Sequence, residues 1–350
     1  MLFAGGYDNS GSIHSYTILS KYPPRGITVE QTQALKSITC LYIVIGHIGK
    51  VIEQPRWFRT LGSFAWIDVG IFFFISDYGL AYGYHRKPNY FKMFPKRLCN
   101  VVIPFLAAHI VYMIGNLLLG IHFLPGDVMM SLIGRSTLVR NDWYVPVCLQ
   151  FYLLFWLIFR SKLTDSAKLL TLFISVCTYV FISSRILQQG SFWWMNALPF
   201  FGGVWWREIC ERTENVSGDS GNQNKNDIWL RRIAVCIVGY AAAYVALPLS
   251  KRIMGVYEYE ICYNLMSLFG VGLIVLLYAR VGKGNGVTAF LATISYEIYL
   301  YHGLFIDGFR SSRLYIQNDI FYVFAVYAAT IVLSIGMHYA VEQVRKRAII

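Results

Sequence analysis

The stretch Lys36–Lys50, KSITCLYIVIGHIGK, decides how the rest of the chain is read. It is an apolar run with a cation at its start and a histidine near its far end. At about 1.5 Å of rise per residue, a helix puts Lys36 and His47 on nearly the same face, roughly 16 Å apart. A bilayer core is about 30 Å thick, so a Lys36 at one interface places His47 near the midplane. An ionisable group at that depth is costly, and its default reading is functional. The other reading is a neutral histidine hydrogen-bonded inside a helix bundle. Both stand until the remaining residues are considered.

Working outward, the 350 residues are 56% hydrophobic and 14% charged, whereas soluble domains carry about a quarter charged residues. Apolar runs of membrane length recur from end to end, which makes this a polytopic membrane protein. The first thirty residues include Asp8, Pro23, Pro24 and Glu30 and hold no apolar core of a cleaved signal. The net charge of +12 is explained by Lys and Arg in cytoplasmic loops before nucleic acid need be invoked. Seven cysteines, with no CxxC spacing, sit in or beside apolar runs. They read as small buried hydrophobes rather than a disulfide framework or a zinc site.

The pattern predicts an all-α fold, a single bundle of about ten transmembrane helices. The spans lie near 35–53, 62–84, 99–120, 143–160, 167–184, 192–209, 230–249, 259–280, 288–308 and 320–341. Residues 1–33 read as a short cytoplasmic tail, 34–345 as the membrane domain, and 211–228 as a flexible polar cytoplasmic loop. Of the 31 Lys and Arg, 21 fall on one side of this arrangement and 10 on the other. The positive-inside rule then puts both termini in the cytoplasm and the chain in the cytoplasmic membrane. The glycines at 282, 284 and 286 follow no strand, so they mark a turn rather than a nucleotide fingerprint.

Four histidines lie within spans: His47, His109, His302 and His338. For His109 and His338 the structural reading is favoured. The spans also hold Asp68, Asp77, Gln150, Asn196, Asn264 and Glu297. So many polar groups cannot all face lipid, and they imply a polar cavity opening to the outer half. Asp68 reads either as interhelical glue or as a carboxylate that orients a histidine. The basic loop 85–98 carries Arg86, Lys87, Lys92, Lys96 and Arg97. It serves topology and anionic lipid, or it cradles a phosphate-rich cytosolic ligand. No metal constellation is evident.

Several of these stretches together resemble the membrane-bound acyltransferase 3 family. They are IVIGH ending at His47, IDVGIFFFIS at Ile67–Ser76, KRLCNVVIPF at Lys96–Phe105 and WYVPVCLQFYLLF at Trp143–Phe155. LPFFGG at Leu198–Gly203, ISYEIYLYH at Ile294–His302 and YAVEQ around Glu342 follow in order. The resemblance implies a cytosolic acyl-CoA donor and transfer of an acyl group to a hydroxyl of an envelope glycan or small molecule. The family histidine falls on His47. Its arginine eleven residues earlier is Lys36 here, which replaces a planar fork by a point charge. Further departures are Asp77, which adds a charge, Val101 in place of a second arginine, and Gln150 in place of a glutamate.

The expected function is a membrane O-acyltransferase, an acyltransferase for groups other than aminoacyl. It would move acetyl from acetyl-CoA to a hydroxyl of a surface polysaccharide or its precursor. His47 would be the general base, since imidazole titrates near neutral pH, with Asp68 to orient it. Lys36, Lys92, Lys96 and Arg97 would hold the CoA phosphates. Ser76, Tyr78, Trp143, Gln150, Tyr299 and His302 would line the acceptor side. The expected partners are acyl-CoA, a glycan acceptor and the lipid bilayer, with no nucleic acid and no metal. A transient acyl-histidine is a second route. The rival functions are a transporter or flippase for a polar envelope precursor, and a structural subunit of an envelope assembly.

Overall fold

The computed structural model describes residues 26–53, 55–87, 89–135, 138–216, 222–253 and 257–348. These form thirteen α-helices and no strand. The predicted N-terminal tail lies outside the described residues as far as residue 25.

Helix α1 (Val29–Ile48) opens on a capping box. Thr28 Oγ1 accepts from the Gln31 backbone N–H at 3.1 Å, and Gln31 Oε1 accepts from the Thr28 N–H at 3.0 Å. These bonds satisfy donors that a helix start leaves unpaired. The Gln31 amide also donates to the Ala279 carbonyl at 2.8 Å, tying the start of α1 to the end of α10 (Tyr257–Val281). At its other end α1 meets an elbow made of α2 (Arg56–Gly62) and a 3-10 turn at Ala65–Ile67. A Cβ on Gly62 would stand 3.0 Å from the Ile45 carbonyl oxygen and 3.3 Å from Gly46 Cα. Two backbones that close leave no space for side chains.

The elbow leads into α3 (Asp68–Arg86), which crosses α8 (Leu198–Val216) at Gly203. The remaining helices are α4 (Phe94–Leu118), α5 (Pro125–Leu132), α6 (Tyr144–Arg160), α7 (Asp165–Phe181), α9 (Asn222–Ile253), α11 (Gly286–Thr293), α12 (Ser295–Gly308) and α13 (Asp319–Ala348). The largest core cluster is aromatic, with Phe73, Phe151, Tyr152, Phe155, Phe200 and Tyr301 fully buried. The outer faces of α4, α7, α9 and α13 present Ile114, Ile174, Val238 and Phe324 outward, the composition a lipid-facing surface requires.

Each of the ten predicted segments falls on helix. Among the described residues six segments are long and apolar enough to cross a bilayer, and the pair α11–α12, bent by 67°, passes the same test only when its two helices are taken as one span. The other three are α1, α6 and α8. Polar side chains including Lys36 and His47 lower the hydropathy of α1, α6 has only 17 residues, and the second half of α8 is rich in Glu and Arg. The segment 211–228 differs from the predicted loop. Helix α8 runs to Val216 and α9 begins at Asn222, leaving 217–221 outside the described residues. Glu, Arg, Gln and Lys are good helix formers, so the helices outrun their apolar stretches.

Asn196 and Asn264 bridge helices instead of lining a cavity. Asn264 Oδ1 accepts from the backbone N–H groups of Ala197 and Leu198, each at 3.1 Å, and so caps the start of α8. Asn196 Oδ1 accepts from Ser267 Oγ at 2.6 Å, and its amide donates to the Trp66 carbonyl at 2.8 Å.

Candidate active site

A cavity lies among α1, α3, α4, α6, α12 and α13. Lys36, Asn100, Tyr152, Glu297 and Arg345 supply polar groups to it, and Tyr144 and Tyr299 line it as well. Pro104 also lines it. With no N–H, Pro104 cannot bond the carbonyl of Asn100 one turn earlier. The Asn100 Oδ1 is buried with no partner. The α4 wall is therefore rich in free acceptors.

Cations gather around Lys36. Lys36 is buried within electrostatic reach of Arg97. The Arg97 guanidinium donates to the Ser76 carbonyl at 2.9 Å and lies over the Tyr152 ring, 5.1 Å from its centroid. Ser76 Oγ is hydrogen-bonded to the Tyr152 hydroxyl. Asp77, fully buried, faces Arg97 electrostatically but neither of its oxygens has a hydrogen-bond partner. Glu297 accepts from His338 Nδ1 at 2.9 Å. This locks one wall residue from behind.

From the wall residues Tyr144 and Tyr299 a run of neighbouring rings leads to a pair of histidines. The Tyr144 and Tyr299 rings are 5.3 Å apart, Tyr299 and His302 are 6.0 Å apart, and His302 stands 5.0 Å from His47. His302 Nδ1 donates to the Tyr299 carbonyl at 2.7 Å. That bond fixes the neutral tautomer with the lone pair on Nε2, which faces the Asn141 amide at 3.5 Å. Among the described residues the His47 imidazole has no hydrogen-bond partner, and it is partly exposed.

A short strap, Arg140–Asn141–Asp142, covers this end. Asn141 takes the left-handed conformation, with φ of 64°, and its carbonyl accepts from the Tyr299 hydroxyl. Asp142 accepts from Ser131 Oγ at 2.5 Å, and Ser131 also meets His109 Nε2 at 3.0 Å. His109 Nδ1 in turn donates to the Phe105 carbonyl at 2.9 Å. Burial pushes the Asp142 carboxyl up to about 7.

The structure brings together only part of the predicted set. Lys36 and Tyr299 line the cavity, Arg97 and Ser76 stand behind its wall residue Tyr152, and His302 and His47 follow on from Tyr299. Lys92 and Lys96 are exposed on the outer surface. Tyr78 is buried beside Arg207 of α8. Trp143 is a buried wall packed on Trp193, ring centroids 6.0 Å apart. Gln150 lines a separate groove with Gln189 and Trp193. Asp68 is buried at the start of α3 and faces Cys40 and Tyr42, and its Oδ2 has no partner. No hydrogen bond or ion pair joins it to His47. Its neighbours Cys40 and Tyr42 precede His47 on α1 by seven and five residues. The ring that faces His47 is His302.

Sequence reasoning missed Tyr144, Tyr152 and Arg345 as cavity residues. The first two had a signal, because Tyr144, Cys148 and Tyr152 recur every four residues and share one face of α6. Arg345, near the end of the described chain, had none.

The family model described as an acyltransferase domain matches residues 31–339. The chain belongs to the acyltransferase 3 family. No curated protein and no solved structure matches it. Membership, together with the apolar helices, makes it a multi-pass membrane acyltransferase. The matched region contains both histidines of the pair and every cavity residue named above except Arg345. The departures from the family pattern now have places. Lys36 and Asp77 both lie beside Arg97, so the added carboxylate sits within the basic end. Val101 lines the cavity, and its carbonyl accepts from the Tyr296 hydroxyl at 3.1 Å. Gln150 faces the separate groove, away from the histidine pair.

Proposed function

We propose that this acyltransferase moves an acetyl group from acetyl-CoA to a hydroxyl of a surface polysaccharide or its precursor. The supporting observation is a cavity lined by the cation Lys36, with Arg97 close by, whose tyrosine wall leads through Tyr144 and Tyr299 to the histidine pair. Lys36 and Arg97 hold the phosphate-bearing part of the donor, and the acyl-pantetheine arm runs along the tyrosine-lined wall toward His47. A histidine with no hydrogen-bond partner among the described residues keeps its lone pair for an incoming hydroxyl. His47 takes that proton as the oxygen attacks the thioester carbonyl. The C–S bond then breaks, and the proton passes to the departing CoA thiolate. His302, fixed by the Tyr299 carbonyl, packs against His47 and holds its ring in place.

The test is the acyl content of surface polysaccharide from cells lacking the gene, complemented with wild type or His47→Ala at matched membrane levels. Mass spectrometry should find the acetyl increment with wild type and not with His47→Ala. Restoration of the increment by His47→Ala would overturn the assignment of the base. Polymer export that depends on the gene, with acylation that does not, would favour a transporter.

A further inference from the structure

Two cations stand beside the histidine pair, far along α1 from Lys36. Lys50 follows His47 by one turn, its backbone N–H donating to the His47 carbonyl at 3.3 Å, and it is exposed. Arg140 lies within electrostatic reach of His47, His302 and Lys50. Its stem rests on Gly303, where a Cβ would come within 2.6 Å of Arg140 Cβ and 3.1 Å of its Cδ. Its guanidinium is ion-paired with Asp307, one turn further along α12. One helix therefore holds the arginine at both stem and head. Among the described residues Lys50 forms no ion pair, with Glu53 or any other carboxylate. Of the two cations only Arg140 has a carboxylate partner among the described residues, so the Lys50 charge stands unpaired next to His47.

The donor has no use for that charge. Lys50 is fourteen residues from Lys36, about 21 Å of helix rise. Topology gives no reason for it either, since this side carries only 10 of the 31 Lys and Arg. What remains is the acceptor. We propose that the acceptor carries an anionic group, a carboxylate or a phosphate, close to the hydroxyl that is acylated, and that Lys50 and Arg140 bind it. The inference rests on the acyltransfer reading above. Lys50 supplies a point charge, and Arg140, with part of its fork on Asp307, offers its remaining N–H groups. The anion so held brings the neighbouring hydroxyl to the unpartnered imidazole of His47.

The experiment uses the full chain in lipid nanodiscs, with glucuronate, glucose 6-phosphate and glucose as acceptor probes. Thiol release from acetyl-CoA and the product mass read turnover, and direct binding of each probe is measured without donor. The anionic probes should exceed glucose about tenfold in kcat/KM, through KM, and in affinity. The preferred probe tells carboxylate from phosphate. Lys50→Gln should lose that tenfold preference, Lys50→Arg should keep it, and Arg56→Gln, an exposed arginine on α2, should leave it intact. Equal use of glucose would overturn the proposal, as would equal loss of preference in Lys50→Gln and Arg56→Gln. Lys50-dependent binding of an anionic probe without any transfer would uphold the anion site and count against the acetyl-transfer reading instead.

Discussion

Gly303→Ala tests whether the strap over the histidine pair positions it. The new Cβ would lie 2.6 Å from Arg140 Cβ and 2.8 Å from the Tyr112 hydroxyl. The tyrosine can give by moving the far end of its side chain. Arg140 cannot, because its Cβ is carried by the backbone of the strap. Ordinary carbon contacts begin at about 3.5 Å, so the strap must retreat by about 1 Å. Overpacking of this kind costs about 1–3 kcal/mol. The retreat also draws Asn141 from His302 and from the Tyr299 hydroxyl. A misplacement of about 1 Å at a positioned group is worth roughly a hundredfold in rate. We expect Gly303→Ala to insert normally, to melt several degrees lower, and to lose about two orders of magnitude in kcat by thiol release. Because the clash is steric, adding Arg140→Gly should return most of the lost stability and of kcat, while the KM for an anionic acceptor stays raised. Unchanged kcat in Gly303→Ala, or a stability loss that Arg140→Gly does not relieve, would refute the reasoning.

Other outcomes follow from the same geometry. Gly203→Ala puts a Cβ 2.9 Å from the Tyr78 backbone nitrogen and 3.0 Å from the Phe74 carbonyl carbon. Two backbones cannot give way as a side chain can, so the loss should approach about 3 kcal/mol, read as reduced monodisperse protein on size exclusion. Lys36→Ala should raise the KM for acetyl-CoA about tenfold, the scale of one charge-assisted contact, while Lys36→Arg should restore it; a KM that does not move would remove Lys36 from the donor site. For Asp142 the folded protein binds the proton more tightly than the unfolded chain does. The carboxyl therefore stabilises the fold least when ionised, and stability falls as pH rises from about 4 through about 7. Thermal unfolding between pH 5 and 8 should show this slope, and Asp142→Asn, which keeps an acceptor for Ser131, should flatten it.

The sequence by itself determined that the chain is a helical membrane protein, and it placed Lys36 and His47 on one face of α1. Both follow from local rules. Hydropathy is summed along a segment, and helix rise and pitch are the same wherever a helix forms. The family motifs located His47 for the same reason, since each is a short contiguous run. What stands opposite His47 was decided only by tertiary packing. Asp68 is 21 residues away in sequence and His302 is 255 away, yet His302 is the ring at 5.0 Å. Of the basic loop, Arg97 reaches Lys36 while Lys92 and Lys96 stay outside. Gln31 anchors α1 to α10, Gly46 and Gly62 let α1 close on its elbow, and Gly303 admits Arg140 against α12. These contacts fix the level and rotation of each helix against its neighbours, and no spacing within one segment encodes that relation. A side chain's depth is a property of its own helix, whereas its partner depends on how two helices meet.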